Sequence, residues 1–386
     1  KGMLPAETQG ESAPNGADIP IDHVVVVMME NRSFDHYFQK LPEYGQPDVE
    51  VAPPGFSNPD ANGDPVEPFH DEQYCFVDTN HEWRGTHEQV NDGKMDGFVA
   101  TNEGHHEKPV HGTLDMISGK RAMAYYDETD LPFYYWLANE FAIADHYHAS
   151  VQAPTWPNRM YLYAATSFGA TKNMLVDADA TVMDHLEARQ VSWKIYANGT
   201  PGLGVLTSKF LEFRELHLFT HDDFLADAAA GTLPSVAFVD PELGRENVLQ
   251  NDEHPPAIHQ YGERFVAEVI QALTKSPSWG RSALFLTYDE HGGLYDHVVP
   301  PPACPPGDFE PQIDPGQPDE GFDELGIRVP MIVVSPYAKK HFVGHATYDH
   351  TSITRFIEAR FVLPALTDRD ANAAAPWEMF DFEQAP

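Results

Sequence analysis

The chain has 386 residues, 42% of them hydrophobic, which is enough for one large core with insertions. Its 60 acidic residues against 24 basic ones give a formal net charge of -36. Such a surface repels nucleic acid and anionic membranes. Every apolar run is shorter than the roughly 18 residues that a transmembrane helix needs. The composition therefore predicts a globular protein without nucleic-acid partners or a transmembrane segment.

The N-terminal segment, residues 1–20, is polar and rich in Gly and Pro, and it is predicted to be a leader segment. Its start at Lys1 is what processing of a longer chain would leave, so we expect a secreted or periplasmic protein. Residues 21–386 show no internal repeat and no clear linker, which predicts a single domain. Cys75 and Cys304 both lie in loop-like stretches, and the sequence leaves open whether they form a disulfide.

Strand and helix patterns alternate along the chain, which predicts an α/β fold with a mostly parallel sheet flanked by helices. The predicted strands are residues 21–29, 235–239, 283–288 and 329–334, and the predicted helices are residues 130–141, 157–166, 259–275 and 351–361. Two segments rich in Pro, Gly and Asp are predicted to be loop insertions. Residues 40–80 are expected to lie over the site and outside the core, and residues 299–325 on the surface.

Acidic and amide side chains directly follow the predicted strands. Glu30 and Asn31 end the first strand, and Asp289 and Glu290 end the strand at residues 283–288. Ligands of open α/β sheets bind at the carboxyl ends of the strands, so these four side chains are expected to meet at one edge. Four oxygen ligands suit a hard divalent cation, and they point to Ca²⁺ more than to Zn²⁺. The alternative is that each cluster is an ordinary polar turn after a strand.

A second candidate functional residue is Thr155, which precedes a predicted helix with Pro157 in its first turn. The N-terminus of a helix favours an anion, so the Thr155 hydroxyl is placed to approach a phosphorus atom whose oxygens the helix end holds. Asn158 and Arg159 would add hydrogen-bond donors, and the guanidinium fork suits phosphate. The alternative is that Thr155 only caps the helix.

The sequence contains 20 histidines, and several of them lie in acidic or turn-like contexts, namely His81, His87, His254, His291, His297 and His350. Among these, His81 lies beside Glu82, His254 after Glu253 and His350 after Asp349. Each of them can be a metal ligand, a proton donor to a leaving group, or an ordinary surface hydrogen-bonding group.

Several motifs, taken together, resemble the phosphoesterase family that includes phosphatidylcholine-hydrolysing phospholipases C, plant non-specific phospholipases C and a group of acid phosphatases. The specific motifs are Glu-Asn-Arg-Ser-Phe-Asp-His at residues 30–36 and Asp-Glu-His-Gly-Gly at residues 289–293. Further matching stretches are residues 93–98, 130–135, 154–159, 251–256, 328–330 and 349–352, in the order of the family. The resemblance covers the chain from about residue 21 to residue 361.

The resemblance implies the alkaline-phosphatase-like α/β fold. It also implies one metal ion held by Glu30, Asn31, Asp289 and Glu290 near the oxygen of Thr155, with Thr155 as the nucleophile. His81, His254 and His350 match positions that line the phosphate pocket. Because the acid phosphatase branch carries Ser at the nucleophile position, Thr155 favours the phospholipase C branch.

The sequence thus predicts a metal-dependent phosphoesterase that acts through a phospho-threonine intermediate, with His350 or His254 protonating the leaving alcohol. The substrate is expected to be a phosphodiester such as a phospholipid, with an acid phosphatase acting on monoesters as the alternative. Two further hypotheses stay open: a non-catalytic phosphate- or cation-binding protein, and transfer of the phosphoryl group to an acceptor other than water.

Overall fold

A central sheet of eight strands runs through the described part of this computed structural model, which covers residues 1–10, 13–106, 117–244, 247–307 and 309–384. The strands of the described residues are β1 (His23–Met29), β2 (Asn58–Pro59), β3 (Pro65–Val66), β4 (Phe69–His70), β5 (Ala124–Tyr125), β6 (Ala142–Ala144), β7 (Trp193–Tyr196), β8 (Leu218–Phe219), β9 (Val236–Val239), β10 (Ser282–Tyr288), β11 (Met331–Val334) and β12 (Phe342–Gly344). β1 and β6 to β12 form the central sheet, while β2 pairs with β3 and β4 with β5 in two small sheets. The helices are α1 (Pro5–Thr8), α2 (Phe34–Phe38), α3 (Trp83–Val90), α4 (Phe98–Asn102), α5 (Pro132–Glu140), α6 (Thr155–Ala164), α7 (Val182–Ala188), α8 (Thr207–His217), α9 (His221–Ala230), α10 (His259–Lys275), α11 (His350–Phe361) and α12 (Asp368–Asn372).

The strand order in the central sheet is β12-β6-β11-β10-β1-β9-β7-β8. β1 is parallel to both of its neighbours, β10 and β9, and the outer pairs β9–β7, β7–β8 and β6–β12 are also parallel. β11 alone among these strands runs antiparallel to the two beside it. The predicted α/β fold with a mostly parallel sheet is therefore confirmed.

The central strands are buried on both faces, which explains their unbroken apolar sequences. Residues Val24–Met29 and all of β10 are buried. One group of helices, α6, α7, α11 and α12, packs together, and α5, α9 and α10 form a second group. α10 presents Phe265, Val266, Val269 and Leu273 to the core, as its apolar spacing predicts.

Most predicted elements are found close to their expected limits. α10 has the predicted limits, and α6 begins two residues before the predicted start, at Thr155. The prediction that residues 40–80 lie outside the core is wrong in part, because Leu41, Val49 and Phe76 are buried in the main core. Their apolar side chains are spaced among Pro, Gly and Asp, so composition hides them. Residues 299–325, apart from 308, contain no helix and only one isolated β-bridge.

The segment that the sequence marks as a leader packs against the C-terminal helices. Gly2 donates its backbone N–H to Ala365 (2.7 Å), and Ala365 donates to the carbonyl of Met3 (2.9 Å). Pro5 and Ile19 are buried. Cys75 and Cys304 are both free thiols. No helix within the described ranges is long and apolar enough to span a bilayer.

Candidate active site

The register of β1 against β10 brings the two acidic strand ends side by side. Met29 pairs with Tyr288, so Glu30 and Asn31 lie beside Asp289 and Glu290 at the carboxyl edge of the sheet. The backbone N–H of Asn31 donates to Asp289 Oδ1 at 3.2 Å. All four side chains are buried, with Glu30 the most exposed at 5%. The four residues therefore form one buried oxygen-rich cluster.

Two tight turns hold this cluster in place. Asn31 has a positive φ of 63°, a conformation that Asn tolerates. Gly292 has φ +66°, and a Cβ there would lie 2.4 Å from the carbonyl oxygen of Asn31. Its N–H donates to Glu290 Oε2 at 2.7 Å. Glycine at 292 thus allows the two strand ends to approach each other closely.

Arg159 on α6 donates hydrogen bonds to two carboxylates of the cluster. Its Nε donates to Asp289 Oδ2 at 3.1 Å, and one terminal nitrogen donates to Glu30 Oε1 at 3.3 Å. The same nitrogen also reaches the carbonyls of Met28 and Met29. The guanidinium predicted to bind substrate is therefore committed mainly to protein oxygens, and its other terminal nitrogen has no hydrogen-bond partner in the described part of the chain.

The cluster carries an excess of negative charge. Burial, together with repulsion from Glu30 and Glu290, raises the pKa of Asp289 to about 8 despite the attraction of Arg159. Burial and the nearby Glu30 carboxylate also raise the pKa of Asp252 well above its usual range. A cation bound among these oxygens would relieve this repulsion.

The donor set fits a hard cation. Glu290 Oε1 is buried and accepts no hydrogen bond from any residue that the structure describes. Asn31 Oδ1 faces the hydroxyl of Thr155 at 3.4 Å. These are oxygen donors of the kind that Ca²⁺ or Mg²⁺ takes. Groups of His and carboxylate side chains with metal-binding spacing also occur at Asp78–His81–His254, Asp35–Asp296–His297 and His70–Asp127–Asp130.

Thr155 is the first residue of α6 and lies in the wall of a cavity of about 280 Å³. Glu30, Arg159 and His254 line the same cavity. The N-cap residue is Pro154, so Thr155 does not cap the helix, and its hydroxyl makes one long bond to Asn31. The residue is 6% exposed and belongs to the cavity lining. Thr155 is thus a buried alcohol beside carboxylates, reachable from the cavity.

Asn158 does not offer donors to a substrate. Its side-chain oxygen accepts from the N–H of Val151 at 3.1 Å, and its amide donates to the carbonyls of Val151, Ala153 and Pro154. The side chain is fully buried. The amide that the sequence suggests as a substrate ligand is therefore used to fold the loop that presents Thr155.

Two of the three predicted histidines stand at the cavity side of the cluster. His81 Nδ1 donates to the carbonyl of Thr79 at 2.7 Å, which leaves Nε2 as an acceptor 3.3 Å from the Asn31 amide nitrogen. His254 Nδ1 donates to the carbonyl of Pro255 at 2.6 Å, so its Nε2 faces the cavity side. The two rings are 5.6 Å apart, edge to face.

His350 is placed differently from the expectation. Its Nε2 donates to the carbonyl of Asp289 at 2.7 Å, and Nδ1 accepts from the Tyr147 hydroxyl at 3.0 Å. Burial lowers the pKa of His350 to about 4, so the ring is neutral near pH 7. With both nitrogens engaged and no place in the cavity wall, His350 supports Asp289 and is not poised to protonate a leaving group.

Two carboxylates beside the cluster are not predicted by the sequence. Asp252 approaches Glu30, whose backbone N–H donates to the Asp252 carbonyl at 2.9 Å. Asp78 lies 3.9 Å from His254 Nε2 and 3.7 Å from His81 Nδ1. Neither residue follows a strand, so the strand-end signal that finds Glu30 and Asp289 does not apply to them.

A buried network holds the loop that carries Asp252 and His254. Both oxygens of Glu253 accept from tyrosine hydroxyls: Tyr134 at 2.5 Å on one oxygen, and Tyr37 and Tyr288 at 2.6 and 2.7 Å on the other. The Glu253 backbone has φ +75°. Gly262 leaves the space for this side chain, since a Cβ there would lie 2.2 Å from Glu253 Cγ. Glu253 therefore fixes the position of its neighbour His254.

A hydroxyl at a helix end, buried carboxylates and a histidine around one cavity are groups of the kind that hydrolases of phosphate esters use. The chain belongs to the phosphoesterase family, whose model matches residues 21–364. It is similar to non-specific phospholipase C1 of Arabidopsis thaliana, at 33% identity over 98% of this chain and 74% of that protein. Phospholipase C A of Mycobacterium tuberculosis is 34% identical over 89% of this chain and 73% of that protein.

One further relative is longer than this chain, and one solved structure is more distant in sequence. The non-hemolytic phospholipase C of Burkholderia pseudomallei is 32% identical over 88% of this chain and 55% of that protein. A solved structure from the alkaline phosphatase superfamily of Vibrio parahaemolyticus aligns with 88% of this chain and 78% of that chain, at 11% identity and a TM-score of 0.37. The predicted phosphoesterase activity is thus confirmed at the level of the family, and the chain is a phosphoric ester hydrolase.

The Glu253 network predicts a pH dependence of stability. Burial raises the pKa of Glu253 to about 7 against the bonds from its tyrosines. When folding raises the pKa of a carboxyl group, the resulting stabilisation is fully present below the pKa of the unfolded state. It is lost as pH rises through the pKa of the folded state. As pH rises from 4.5 to 8, the free energy of unfolding of the wild type should therefore fall by about 3 kcal/mol relative to that of Glu253→Gln. Urea unfolding at each pH measures this difference.

Glu268→Gln is the matched control, because Glu268 is exposed on α10 and pairs only with Arg264 within the described ranges. Its unfolding curve should keep the wild-type pH dependence. If the difference between wild type and Glu253→Gln stays constant over this pH range, Glu253 does not titrate as described.

Proposed function

We propose that the protein is a phospholipase C that cleaves the phosphodiester between the glycerol and the head-group phosphate of a phospholipid. The observation that carries this proposal is the shared cavity of Thr155 and His254 above the buried carboxylates. The names of the relatives, phospholipases C of plants and bacteria, support the lipid substrate.

The residues suggest a two-step reaction through Thr155. The hydroxyl oxygen of Thr155 attacks phosphorus and gives its proton to the Glu30 carboxylate, which lines the same cavity, while the bond from phosphorus to the glycerol oxygen breaks. Protonated His254 gives its Nε2 proton to the departing glycerol oxygen and keeps its Nδ1–H on the Pro255 carbonyl. Water then attacks the phospho-threonine and gives a proton to His254, while Glu30 returns its proton to the departing Thr155 oxygen.

The buried cluster would hold one divalent cation, and the oxygen set favours Ca²⁺. Its ligands would be Glu30, Asn31, Asp289 and Glu290, with Thr155 beside them. When bound, such an ion supplies positive charge that lowers the cost of ionising an alcohol and of crowding charge on a phosphoryl group. Arg159 keeps Glu30 and Asp289 aimed at this place through its hydrogen bonds.

Thr155→Ala should lower phosphatidylcholine turnover by more than about 10³-fold, because the variant lacks the attacking oxygen. Product analysis should identify diacylglycerol and phosphocholine from the wild-type enzyme, and a trapped phospho-threonine in rapid quench experiments. Thermal unfolding should change little, since the hydroxyl makes only one long hydrogen bond to the residues that the structure describes.

Thr354→Ala is the matched control. It removes a hydroxyl from a buried Thr on α11 that donates to the Leu162 carbonyl at 2.7 Å, away from the cavity. Activity should survive in this variant. If Thr155→Ala keeps activity within about tenfold of wild type, the covalent route is wrong. Turnover of phosphomonoesters alone would identify an acid phosphatase instead.

Glu290→Gln should weaken Ca²⁺ binding by at least about tenfold, because it neutralises the carboxylate whose Oε1 has no other partner among the described residues. Calorimetric titration of the chelator-treated protein measures this without reference to activity. His70→Ala, at the separate His70–Asp127–Asp130 group, should leave the titration unchanged. The opposite pattern would place the ion at that surface group.

His254→Ala should slow hydrolysis of phosphatidylcholine by about 10²–10⁴-fold, as expected for a lost general acid. A general acid must start protonated, so the wild-type rate falls towards high pH, and this fall should disappear in the variant. A phosphodiester with a nitrophenol leaving group should be largely spared, since that group leaves without a proton.

His350→Ala tests the competing assignment. It should lower the free energy of unfolding and leave the high-pH limb of the rate profile in place, because His350 bonds to Asp289 and Tyr147. If His350→Ala removes that limb and His254→Ala keeps it, the two roles are reversed.

A further inference from the structure

Two histidines and one carboxylate beside the cavity form a group with both nitrogen and oxygen donors. A nitrogen of His81, a nitrogen of His254 and a carboxylate oxygen of Asp78 all lie within 4.8 Å of one another. Zinc ligands bind at about 2.0–2.1 Å and therefore lie roughly 3.3 Å apart in a tetrahedral site. Small side-chain movements would thus close these three atoms around one ion. We call Asp78, His81 and His254 the histidine group.

Backbone carbonyls hold both imidazole rings through the same ring nitrogen. His81 Nδ1 donates to the carbonyl of Thr79 at 2.7 Å, and His254 Nδ1 donates to the carbonyl of Pro255 at 2.6 Å. Histidines that bind metals usually donate their second ring N–H in this way, which fixes the ring and its tautomer. The Nε2 atoms are then the nitrogen donors, and at His81 an ion would replace the contact with the Asn31 amide at 3.3 Å.

Asp78 supplies the oxygen of the group. Its Oδ1 accepts from the backbone N–H of Thr79 at 2.8 Å, and its Oδ2 lies 3.9 Å from His254 Nε2. Arg121 donates to the backbone carbonyl of Asp78 at 2.8 Å, which ties down this loop. The side chains of Asp78 and His254 are 11% and 13% exposed, and His254 lines the cavity. An ion from solvent can therefore reach the group.

The donor atoms of the histidine group differ from those of the neighbouring carboxylate cluster. Two imidazole nitrogens and one carboxylate oxygen suit Zn²⁺, whereas an all-oxygen set suits Ca²⁺. Three protein ligands also leave a fourth tetrahedral position for water. The excess negative charge of the adjacent cluster favours a cation at this place as well. The two sites are therefore expected to select different ions.

We propose that the histidine group binds Zn²⁺ and that the bound ion inhibits the enzyme. The Zn–N bond uses the Nε2 lone pair of His254, and the proton that this nitrogen carried is released to solvent. His254 then has no proton to give to the departing glycerol oxygen. The inference rests on the proposed function, because the role of His254 as general acid is what turns zinc binding into inhibition.

The experiment compares wild type with Asp78→Asn in saturating Ca²⁺. Calorimetric titration with zinc chloride should show binding at least about tenfold weaker in the variant, since a charged ligand is lost. Inhibition of the hydrolysis of a water-soluble phosphodiester should require a Zn²⁺ concentration higher by a similar factor, with each protein compared with its own zinc-free rate. His254→Ala, measured by calorimetry alone, should lose the same binding.

Two variants at other sites serve as controls. His70→Ala removes a histidine from the separate His70–Asp127–Asp130 group and should keep both the zinc affinity and the inhibition of wild type. Glu290→Gln alters the carboxylate cluster and should keep the zinc affinity although its Ca²⁺ affinity falls. A Ca²⁺-sensitive dye should report no release of Ca²⁺ when Zn²⁺ is added to the wild type.

The outcomes separate the two proposals. Equal zinc binding by wild type and Asp78→Asn, or release of Ca²⁺ on addition of Zn²⁺, overturns the zinc site while turnover of the soluble ester still supports the enzyme. Zinc binding at the histidine group without inhibition overturns the inhibitory role. Absence of hydrolysis of every phosphodiester overturns the proposed function, and the calorimetric data still decide whether the histidine group binds zinc.

Discussion

The in-register parallel pairing of β1 with β10 is the constraint on which the site depends. Each strand is followed directly by two polar residues, Glu30–Asn31 after β1 and Asp289–Glu290 after β10, so the register that pairs Met29 with Tyr288 brings the two groups together. A shift of one residue would turn alternate side chains to the other face of the sheet. Burial of both strands on both faces fixes the register, because every position between Val24 and Met29 is packed.

Burying several carboxylates away from water is energetically unfavourable, and nearby hydrogen-bond donors offset part of this cost. Arg159 compensates two of them, and the backbone N–H groups of Asn31, Glu290 and Gly292 donate to carboxylate oxygens in the same cluster. Burial of charge without such partners is strongly unfavourable. Arg159 and Asn158 beside Thr155 are thus used for internal support, while Thr155 and His254 line the cavity.

Sequence periodicity predicts those elements whose conformation depends on residues close to one another in the sequence. The long apolar runs of β1 and β10 and the amphipathic spacing of α10 identify these elements with nearly correct limits. Glu30, Asn31, Asp289 and Glu290 are found because they follow such runs. Thr155 is found because a proline marks the start of its helix. The sequence motifs identify the family, which periodicity alone does not do.

The remainder depends on contacts between distant segments. Asp252, Asp78 and Glu253 lie on loops, where no periodicity indicates which side chains turn inward, and the tyrosines that bond to Glu253 come from α2, α5 and β10. The commitment of Asn158 to the Val151 loop and of His350 to the Asp289 carbonyl is equally non-local. Composition also fails for residues 40–80, since a few buried apolar side chains, three of them in the main core, lie among many polar ones.

The docked N-terminal segment has a practical consequence for where the domain begins. The family match starts at residue 21, whereas the folded body already includes Met3 and Pro5, which bond to Ala365 and Arg355. A recombinant chain shortened to residue 21 would uncover the apolar surface beneath Pro5 and Ile19 and leave those partners unpaired. Domain borders drawn from alignment would therefore produce a less soluble protein than borders drawn from packing.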